Sequence, residues 1–162
     1  MSPDTRSDLA AMQAELVSAL VGHSAVPIGF DSARIQTVVT VLAAKRLRAV
    51  RHAWPGLARD LGDRFAERFR AYALSNPLPR KGGPLADGRA FVRFLAADEL
   101  PETAILQKLA VDLRYAATTD GLVSRRWPAL KSALLNNPRR LIVGLRVPWL
   151  GQRWLSIPWW LP

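Results

Sequence analysis

Apolar residues recur at intervals of three and four along the first two-thirds of the chain, and glycine or proline separates the segments. This spacing predicts amphipathic helices, and the interruptions predict their ends. Six helices are predicted: 8–21, from Asp31 to the break at Trp54-Pro55, 55–61, from Asp63 to a loop over 75–85, 87–97, and from Glu102 to about 117.

Each predicted helix has an apolar face that should turn toward a shared core. Trp54 and Phe91 are predicted core residues, and Asp31 is a predicted N-cap. The apolar face of the second helix is predicted to contain Ile35, Val38, Val39, Leu42, Leu47 and Val50, and that of the fourth helix Phe65, Phe69 and Tyr72. The apolar face of the fifth helix is predicted to contain Phe91, Phe94 and Leu95, and that of the sixth helix Ile105, Leu109 and Leu113.

The pattern changes near the C-terminus, where strand-forming residues replace the helical spacing. Residues 141–147 and 152–157 predict two strands around a turn at 148–151, and a short helix is predicted within 124–135, after Pro128. The fold class is therefore mainly α, a bundle of about six helices followed by a small C-terminal β-hairpin. The predicted domains are a helical domain (8–117), a connecting segment with a short helix (118–138), and a basic, Trp-rich β-hairpin and tail (139–162).

Charge is distributed unevenly between these regions. The last 42 residues contain seven Arg/Lys, no Asp or Glu, and five of the six tryptophans, including Trp127, Trp159 and Trp160. The net charge of +10 divides into +3 for the first 120 residues and +7 for the rest. This asymmetry indicates a contact surface for nucleic acid, a membrane surface, a peptide or a partner protein.

Composition limits the chemistry that the chain could perform. Without cysteine, disulfides, thiolate metal sites and cysteine nucleophiles are excluded. His23 and His52 lack the spacing of a metal motif, and Gly82-Gly83 lacks the context of a phosphate-binding loop. We therefore expect no catalytic residue, no bound cofactor and no metal in this chain, so it is predicted not to be an enzyme. The alternative is a paired general acid and base formed by Asp98-Glu99 and Glu102.

The N-terminal residues lack the apolar run of a signal peptide, and no apolar stretch reaches about 18 residues. We expect a soluble cytoplasmic protein without a membrane span. A basic patch at the end of the second helix, formed by Lys45, Arg46, Arg48 and Arg51, could meet phosphates or could be a solvated helix end.

The basic tail allows several interpretations. Its tryptophans could cap the helical core, form an interface hot spot, or contact an anionic membrane surface. A two-stranded ribbon also has a free edge that can accept an extended peptide.

Short motifs in the helical region resemble one family through their order and spacing. They are Gln13 with Leu16, Gly29-Phe30-Asp31, Lys45-Arg46, Trp54-Pro55-x-Leu57-x3-Leu61-Gly62, Phe69 with Tyr72, and Asp87-Gly88-x2-Phe91-x2-Phe94-Leu95. Over about 9–115 the chain resembles a domain catalogued as DNA-binding that occurs in accessory proteins of multinuclear non-heme iron-dependent oxidative enzymes (MNIOs). The ribbon over 141–158 resembles the version fused to the C-terminus of some MNIO enzymes.

The resemblance implies a non-catalytic partner in the modification of ribosomally made peptides (RiPP biosynthesis). Such a partner binds the MNIO enzyme, which holds the iron, and helps to recruit the leader of the precursor peptide. The residues expected to contact enzyme or peptide are Arg146, Arg153, Trp149 and Trp154. The alternatives are a DNA-binding transcriptional regulator that uses the basic patch and tail, and a membrane-surface adaptor.

Overall fold

The computed structural model describes residues 3–20, 26–96, 100–136 and 139–158. Within these ranges six helices precede five strands, which confirms the mainly α class with a C-terminal β region. The elements are α1 (Pro3–Leu20), α2 (Ser32–Ala53), α3 (Pro55–Leu61), α4 (Asp63–Ser75), α5 (Gly83–Phe94), α6 (Glu102–Arg114), β1 (Tyr115–Thr118), β2 (Gly121–Ser124), β3 (Ala129–Asn136), β4 (Arg139–Val147) and β5 (Gly151–Pro158).

The chain forms two compact units. The first comprises the residues up to Ala49 together with Ala66–Leu78, and therefore contains α1 and most of α2 and α4. The second comprises Val50–Phe65 and the chain from Pro79 onward, with α3, α5, α6 and all five strands.

Local capping places the starts of α2 and α3 where the sequence predicted them. The predicted starts of the first and fifth helices are wrong, since α1 begins at Pro3 rather than Asp8 and α5 at Gly83 rather than Asp87. The Asp31 carboxylate accepts the backbone N–H of Ala33 at 2.9 Å, so Asp31 is the N-cap of α2. Pro55 opens α3, where a missing N–H costs nothing, and Gly62 ends it with a φ of 54°.

In the first unit, α2 buries one narrow stripe of side chains. Ile35, Val39 and Leu47 are buried, whereas Val38 and Leu42 are more than 40% exposed. The prediction that Val38 and Leu42 face the core is therefore wrong, because only about one residue in each turn of α2 is buried. In α4, Phe69 and Tyr72 are buried and their rings meet edge to face, with centroids 5.5 Å apart.

In the second unit, Trp54 and Phe91 are fully buried, as predicted. The Trp54 indole N–H donates to the carbonyl oxygen of Leu85 at 3.3 Å, and Phe91 meets Phe65 edge to face at 5.8 Å. Phe94 is 44% exposed, so its predicted inward position is wrong. The reason is that α5 ends at Phe94, where the backbone turns away before the buried Leu95.

Helix α6 ends three residues earlier than predicted. Tyr115 has extended backbone angles and begins β1, which pairs antiparallel with β2 from Tyr115↔Ser124 to Thr118↔Gly121. A tight hairpin therefore replaces the last predicted helical turn.

The C-terminal hairpin is wider than predicted, because a third strand joins it. The antiparallel order is β3-β4-β5, with Ala129↔Arg146 and Leu141↔Ile157 among the paired residues. The prediction of a short helix within 124–135 is wrong. Strand pairing with β4 overrides the helix-favouring composition of this segment.

Some predicted features lie outside the described residues, namely His23, Asp98-Glu99 and the pair Trp159 and Trp160. Within the described ranges, none of the helices combines the length and apolarity that crossing a bilayer requires.

Candidate functional site

The three-stranded sheet has two different faces, since successive side chains of a strand point to opposite sides. The inner face packs on α6: Leu135 and Ile142 form a buried cluster with Leu109. An ion pair between Arg140 on this face and Glu102 in the first turn of α6 adds to the contact. Glu102 is thereby engaged in packing the sheet against the helix.

The opposite face of the sheet, hereafter the outer face, is aliphatic and open to solvent. Leu130 is 65% exposed and Leu155 is 59% exposed, while Leu134 and Leu145 are each more than 40% exposed. By register, its aliphatic members are Leu130, Leu134, Leu141, Val143, Leu145, Val147, Leu155 and Ile157. Contiguous exposed apolar surface of this kind marks interaction sites.

Two cations share the outer face with these aliphatic residues. Arg153 is the cross-strand partner of Leu145, and Arg139 opens β4 on the same side; both are exposed. The sequence from Gly121 onward contains no Asp or Glu to neutralise them. The outer face is thus apolar with a positive rim.

Trp154 lies on the inner side of the sheet, away from Arg153. Its cross-strand partner is Gly144, and a β-carbon built at Gly144 would fall 2.7 Å from the Trp154 ring and 2.7 Å from Leu113 Cδ1. Glycine at this position therefore lets the indole lie against the strand beside α6. With 45% of its surface exposed, Trp154 has both a packing role and a free edge.

Trp149 stands at the tip of the β4–β5 turn. It is fully exposed, and its φ of 81° places it in the left-handed region that large side chains rarely adopt. The turn is closed by the backbone N–H of Leu150, which donates to Val147 at 3.2 Å. The turn therefore presents the indole without packing it on the described residues.

Arg146 borders a cleft of about 330 Å³ between the end of α6, the β1–β2 hairpin and the start of β5. Its lining residues are Arg114, Tyr115, Ser124, Arg146, Gly151 and Gln152. The lining contains two guanidinium groups, two hydroxyls and one amide, and it contains no carboxylate.

Four hydrogen bonds from three side chains to main-chain carbonyls fix the wall of this cleft. Arg146 donates to the carbonyl oxygen of Arg125 at 3.2 Å, and Gln152 donates to that of Ala110 at 3.2 Å. Arg125 in turn donates through Nε to the carbonyl of Tyr115 at 3.1 Å and to that of Asp112 at 3.2 Å. Arg125 thus satisfies carbonyls at the end of α6.

Asp112 anchors α6 behind the cleft. Its carboxylate accepts from Arg89 on α5 and from Lys108 at 2.9 Å. Burial raises the pKa of Asp112, but the hydrogen bonds and charges of Arg89 and Lys108 outweigh it, so the pKa lies below the usual value of 3.8. Asp112 is therefore a structural anion, already paired on two sides.

The basic patch predicted on α2 does not act as one surface. Arg46 donates to the carbonyls of Ala73 at 3.1 Å and Asn76 at 3.0 Å, and it lies 5.5 Å from the Tyr72 ring centre. It caps the C-terminus of α4, where unpaired carbonyls favour a cation.

The other three members of the patch, Lys45, Arg48 and Arg51, are exposed along one side of α2. Arg51 also lies 5.7 Å from the centre of the Phe65 ring. Lys45 and Arg48 are therefore exposed on the first unit and Arg51 on the second, while Arg46 is bonded to the end of α4.

The described ranges contain no group of three or more His, Asp or Glu side chains with metal-binding geometry. His52 is exposed near the end of α2. The sheet and the cleft offer apolar contact, guanidinium hydrogen bonds and hydroxyl hydrogen bonds.

Comparison with known proteins places the helical region in a family. Residues 10–97, which span α1 to α5, match the family described as SCO6045-like, C-terminal domain. The chain belongs to this family. The matched residues end before α6, so the sheet and the cleft lie outside the family-defining region.

One curated relative is a UPF0276 protein from Streptomyces avermitilis, 37% identical over 99 residues. The match covers 61% of this chain and 20% of the relative, so the chain spans about a fifth of that protein's length. No solved structure is significantly similar to the chain.

The sheet separates the four ribbon residues that the sequence singled out. Arg153 lies on the outer face, Trp154 on the inner side, Trp149 at the turn and Arg146 in the cleft. Sequence reasoning missed the other cleft residues, namely Arg114, Tyr115, Ser124 and Gln152. It also missed Leu130 and Leu134, because their segment was predicted to be helical. For the cleft, the available signal was the change from a helical to an alternating pattern at Tyr115, where β1 begins.

Proposed function

We propose that this chain is a non-catalytic partner protein of an MNIO enzyme in RiPP biosynthesis, binding the enzyme and helping to recruit the leader of its precursor peptide. The observation that carries the proposal is the open, apolar outer face with its arginine rim. Iron belongs to the partner enzyme in this proposal, and the chain contributes binding surface alone.

The relationship to a longer protein supports a binding role. The matched part of the S. avermitilis UPF0276 protein is about a fifth of that chain. A region that occurs within a longer protein can bind the remainder of such a protein, and within one chain the covalent link supplies the effective concentration.

The outer face is the proposed docking site for the enzyme. Leu130, Leu145 and Leu155 provide apolar area near the centre, and Arg139 and Arg153 select a surface with carboxylates at its margin. A second copy of this chain is disfavoured as the occupant, since two rims of the same charge would repel.

The leader peptide has a separate binding mode available on the same sheet. In the order β3-β4-β5, β5 is an edge strand, so one side of its backbone has no strand partner among the described residues. An extended leader could add to this edge through main-chain hydrogen bonds. Arg153 and the exposed part of Trp154 would then contact alternate side chains of the peptide.

Co-purification tests the proposal. The chain is expressed with a cognate MNIO enzyme, iron and the precursor peptide, and complexes are measured by size-exclusion chromatography with light scattering at low salt. We expect a complex with the enzyme that Leu155→Glu disrupts, because a charge would be buried at the interface.

The matched control for this variant is Leu74→Glu, which changes a leucine of comparable exposure in the first unit. It should leave the complex intact. Absence of a complex with the unmodified chain, or equal loss in both variants, contradicts the proposed docking site.

The runner-up function is DNA binding, favoured by the exposed pair Lys45 and Arg48 on the part of α2 in the first unit. It predicts affinity for duplex DNA with a steep salt dependence. A Lys45→Gln/Arg48→Gln double variant should then weaken binding at about 50 mM salt, where phosphate contacts are strong. Absence of binding by the unmodified chain under those conditions removes this alternative.

A further inference from the structure

The basic cleft contains polar groups that the fold itself leaves unused. Among the described residues, the Arg114 guanidinium, the Tyr115 hydroxyl and the Ser124 hydroxyl make no side-chain hydrogen bond or ion pair. Arg146 uses one terminal nitrogen on the Arg125 carbonyl, which leaves its other N–H groups available. Four side chains from four elements (α6, β1, β2 and β4) therefore supply donors to one concave site.

The charge of the cleft selects an anion. Its lining has two guanidinium groups and no carboxylate, and the nearby Asp112 is already paired with Arg89 and Lys108. Two unneutralised arginines at the edge of a cleft repel each other unless an anion lies between them. Guanidinium groups form paired hydrogen bonds with planar oxyanions, and such bonds are stronger than neutral ones.

The shape and the helix direction favour a carboxylate over a phosphate. Phosphate sites are commonly built on the N-terminus of a helix, whereas α6 brings its C-terminus to this cleft, with Arg114 as its last residue. The partial negative charge at that end opposes a doubly charged anion more than a singly charged one. A volume of about 330 Å³ also exceeds a lone ion and lies at the lower end of the range for small ligands.

We propose that this cleft binds a carboxylate group carried by a peptide, with Arg114 and Arg146 holding the carboxylate and Tyr115 and Ser124 donating hydroxyl hydrogen bonds. Gln152 is oriented by its bond to the Ala110 carbonyl, so its amide oxygen can accept an N–H from the backbone of the same peptide. The site is distinct from the outer face, and it does not depend on the MNIO assignment.

Nuclear magnetic resonance titration of the full chain tests the assignment. The probes are N-acetylglutamate N-methylamide for a side-chain carboxylate, N-acetylglycine for a terminal carboxylate, and inorganic phosphate. Either carboxylate should shift the Nε–H signals of Arg114 and Arg146 and the amides of Ser124 and Gln152. The stronger of the two identifies whether a side chain or a chain end is bound.

Variants make the test specific. Arg114→Gln removes a side chain with no partner in the described structure, so it should keep the fold and weaken carboxylate binding at least tenfold. Tyr115→Phe should weaken binding by a smaller factor. The control Arg70→Gln removes one exposed charge from α4 and should leave the affinity unchanged.

Three results would overturn the proposal. Equal shifts with the neutral N-acetylglutamine N-methylamide would show that the carboxylate is not recognised. Equal weakening by Arg70→Gln would show that the effect comes from net charge alone. Tighter binding of phosphate than of both carboxylates would assign the cleft to phosphate. Unchanged amide spectra away from the cleft verify that each variant is folded.

Discussion

Gly88 on α5 lies directly against the indole of Trp54: a β-carbon at Gly88 would fall 2.3 Å from both Cδ1 and Nε1 of the ring. Trp54 is fully buried at the junction before α3, and its N–H is held by the Leu85 carbonyl. The glycine therefore sets how closely α5 approaches the tryptophan.

Substitution of Gly88 by alanine should destabilise the protein. The added methyl group would overlap a fixed, hydrogen-bonded ring, and overpacking of this kind costs about 1–3 kcal/mol. The control is Gly56→Ala in α3, where the new β-carbon would lie at an ordinary 3.6 Å from Gln107 Oε1. Urea denaturation should show Gly56→Ala unchanged or stabilised by up to about 1 kcal/mol; similar losses in both variants would refute the contact.

Asp112 should make stability depend on pH in the acid range. Its pKa is lowered in the folded state, so its contribution is complete above the ordinary value of 3.8 and is lost as the pH falls through the lower folded value. At pH 7, Asp112→Asn should lose about 1–3 kcal/mol, because hydrogen bonds to charged groups are lost. The difference from the unmodified chain should shrink below pH 3.8.

The control for this pH dependence is Asp120→Asn. Asp120 pairs with Lys81 at 3.6 Å, and both side chains are more than 40% exposed. Exposed pairs contribute about 0–1 kcal/mol, so thermal melts of this variant should follow the unmodified chain across the same pH range. An acid profile altered equally by both substitutions contradicts the role given to Asp112.

Arg46 should contribute to the stability of the fold, whereas Arg48 should not. Arg46→Met removes two charged hydrogen bonds to carbonyls at the end of α4, which should cost about 1–3 kcal/mol. Arg48 lies two residues further along the same helix and is exposed. Arg48→Met should therefore change the unfolding free energy by less than about 0.5 kcal/mol. Chemical denaturation of the two variants measures the difference directly.

The backbone conformation of Trp149 should lower the stability of the protein. Its positive φ costs a residue with a β-carbon about 1–2 kcal/mol, and glycine avoids that cost. Trp127 is also highly exposed but has no positive φ, so Trp127→Gly is the matched control. Thermal melts should show Trp149→Gly at least as stable as the unmodified chain and more stable than Trp127→Gly; the reverse order would show that the Trp149 side chain packs.

The helical part of the fold was largely predictable, since periodicity and capping are local. Asp31, Pro55 and Gly62 act where the sequence placed them, and Trp54 and Phe91 are buried as expected. The errors at Val38 and Phe94 concern how wide a buried face is and where a helix stops. Both depend on what packs opposite, which a hydrophobic pattern does not specify.

The candidate sites were less predictable. Arg146 and Arg153 were selected together for their charge, yet strand register places one in the cleft and the other on the outer face. Arg114 and Tyr115 looked like the continuation of a helix, and only the start of β1 at Tyr115 brings them beside Arg146.

The sequence by itself determined the six helices, the core tryptophan and the excess of positive charge in the last 42 residues, because these follow from local spacing, capping and composition. Tertiary structure decided the state of β3, whose composition suits a helix but whose pairing with β4 makes it a strand. That pairing creates the outer face and encloses the cleft beside α6. Contacts between residues distant in sequence have no local signature, so these surfaces emerge only in the folded chain.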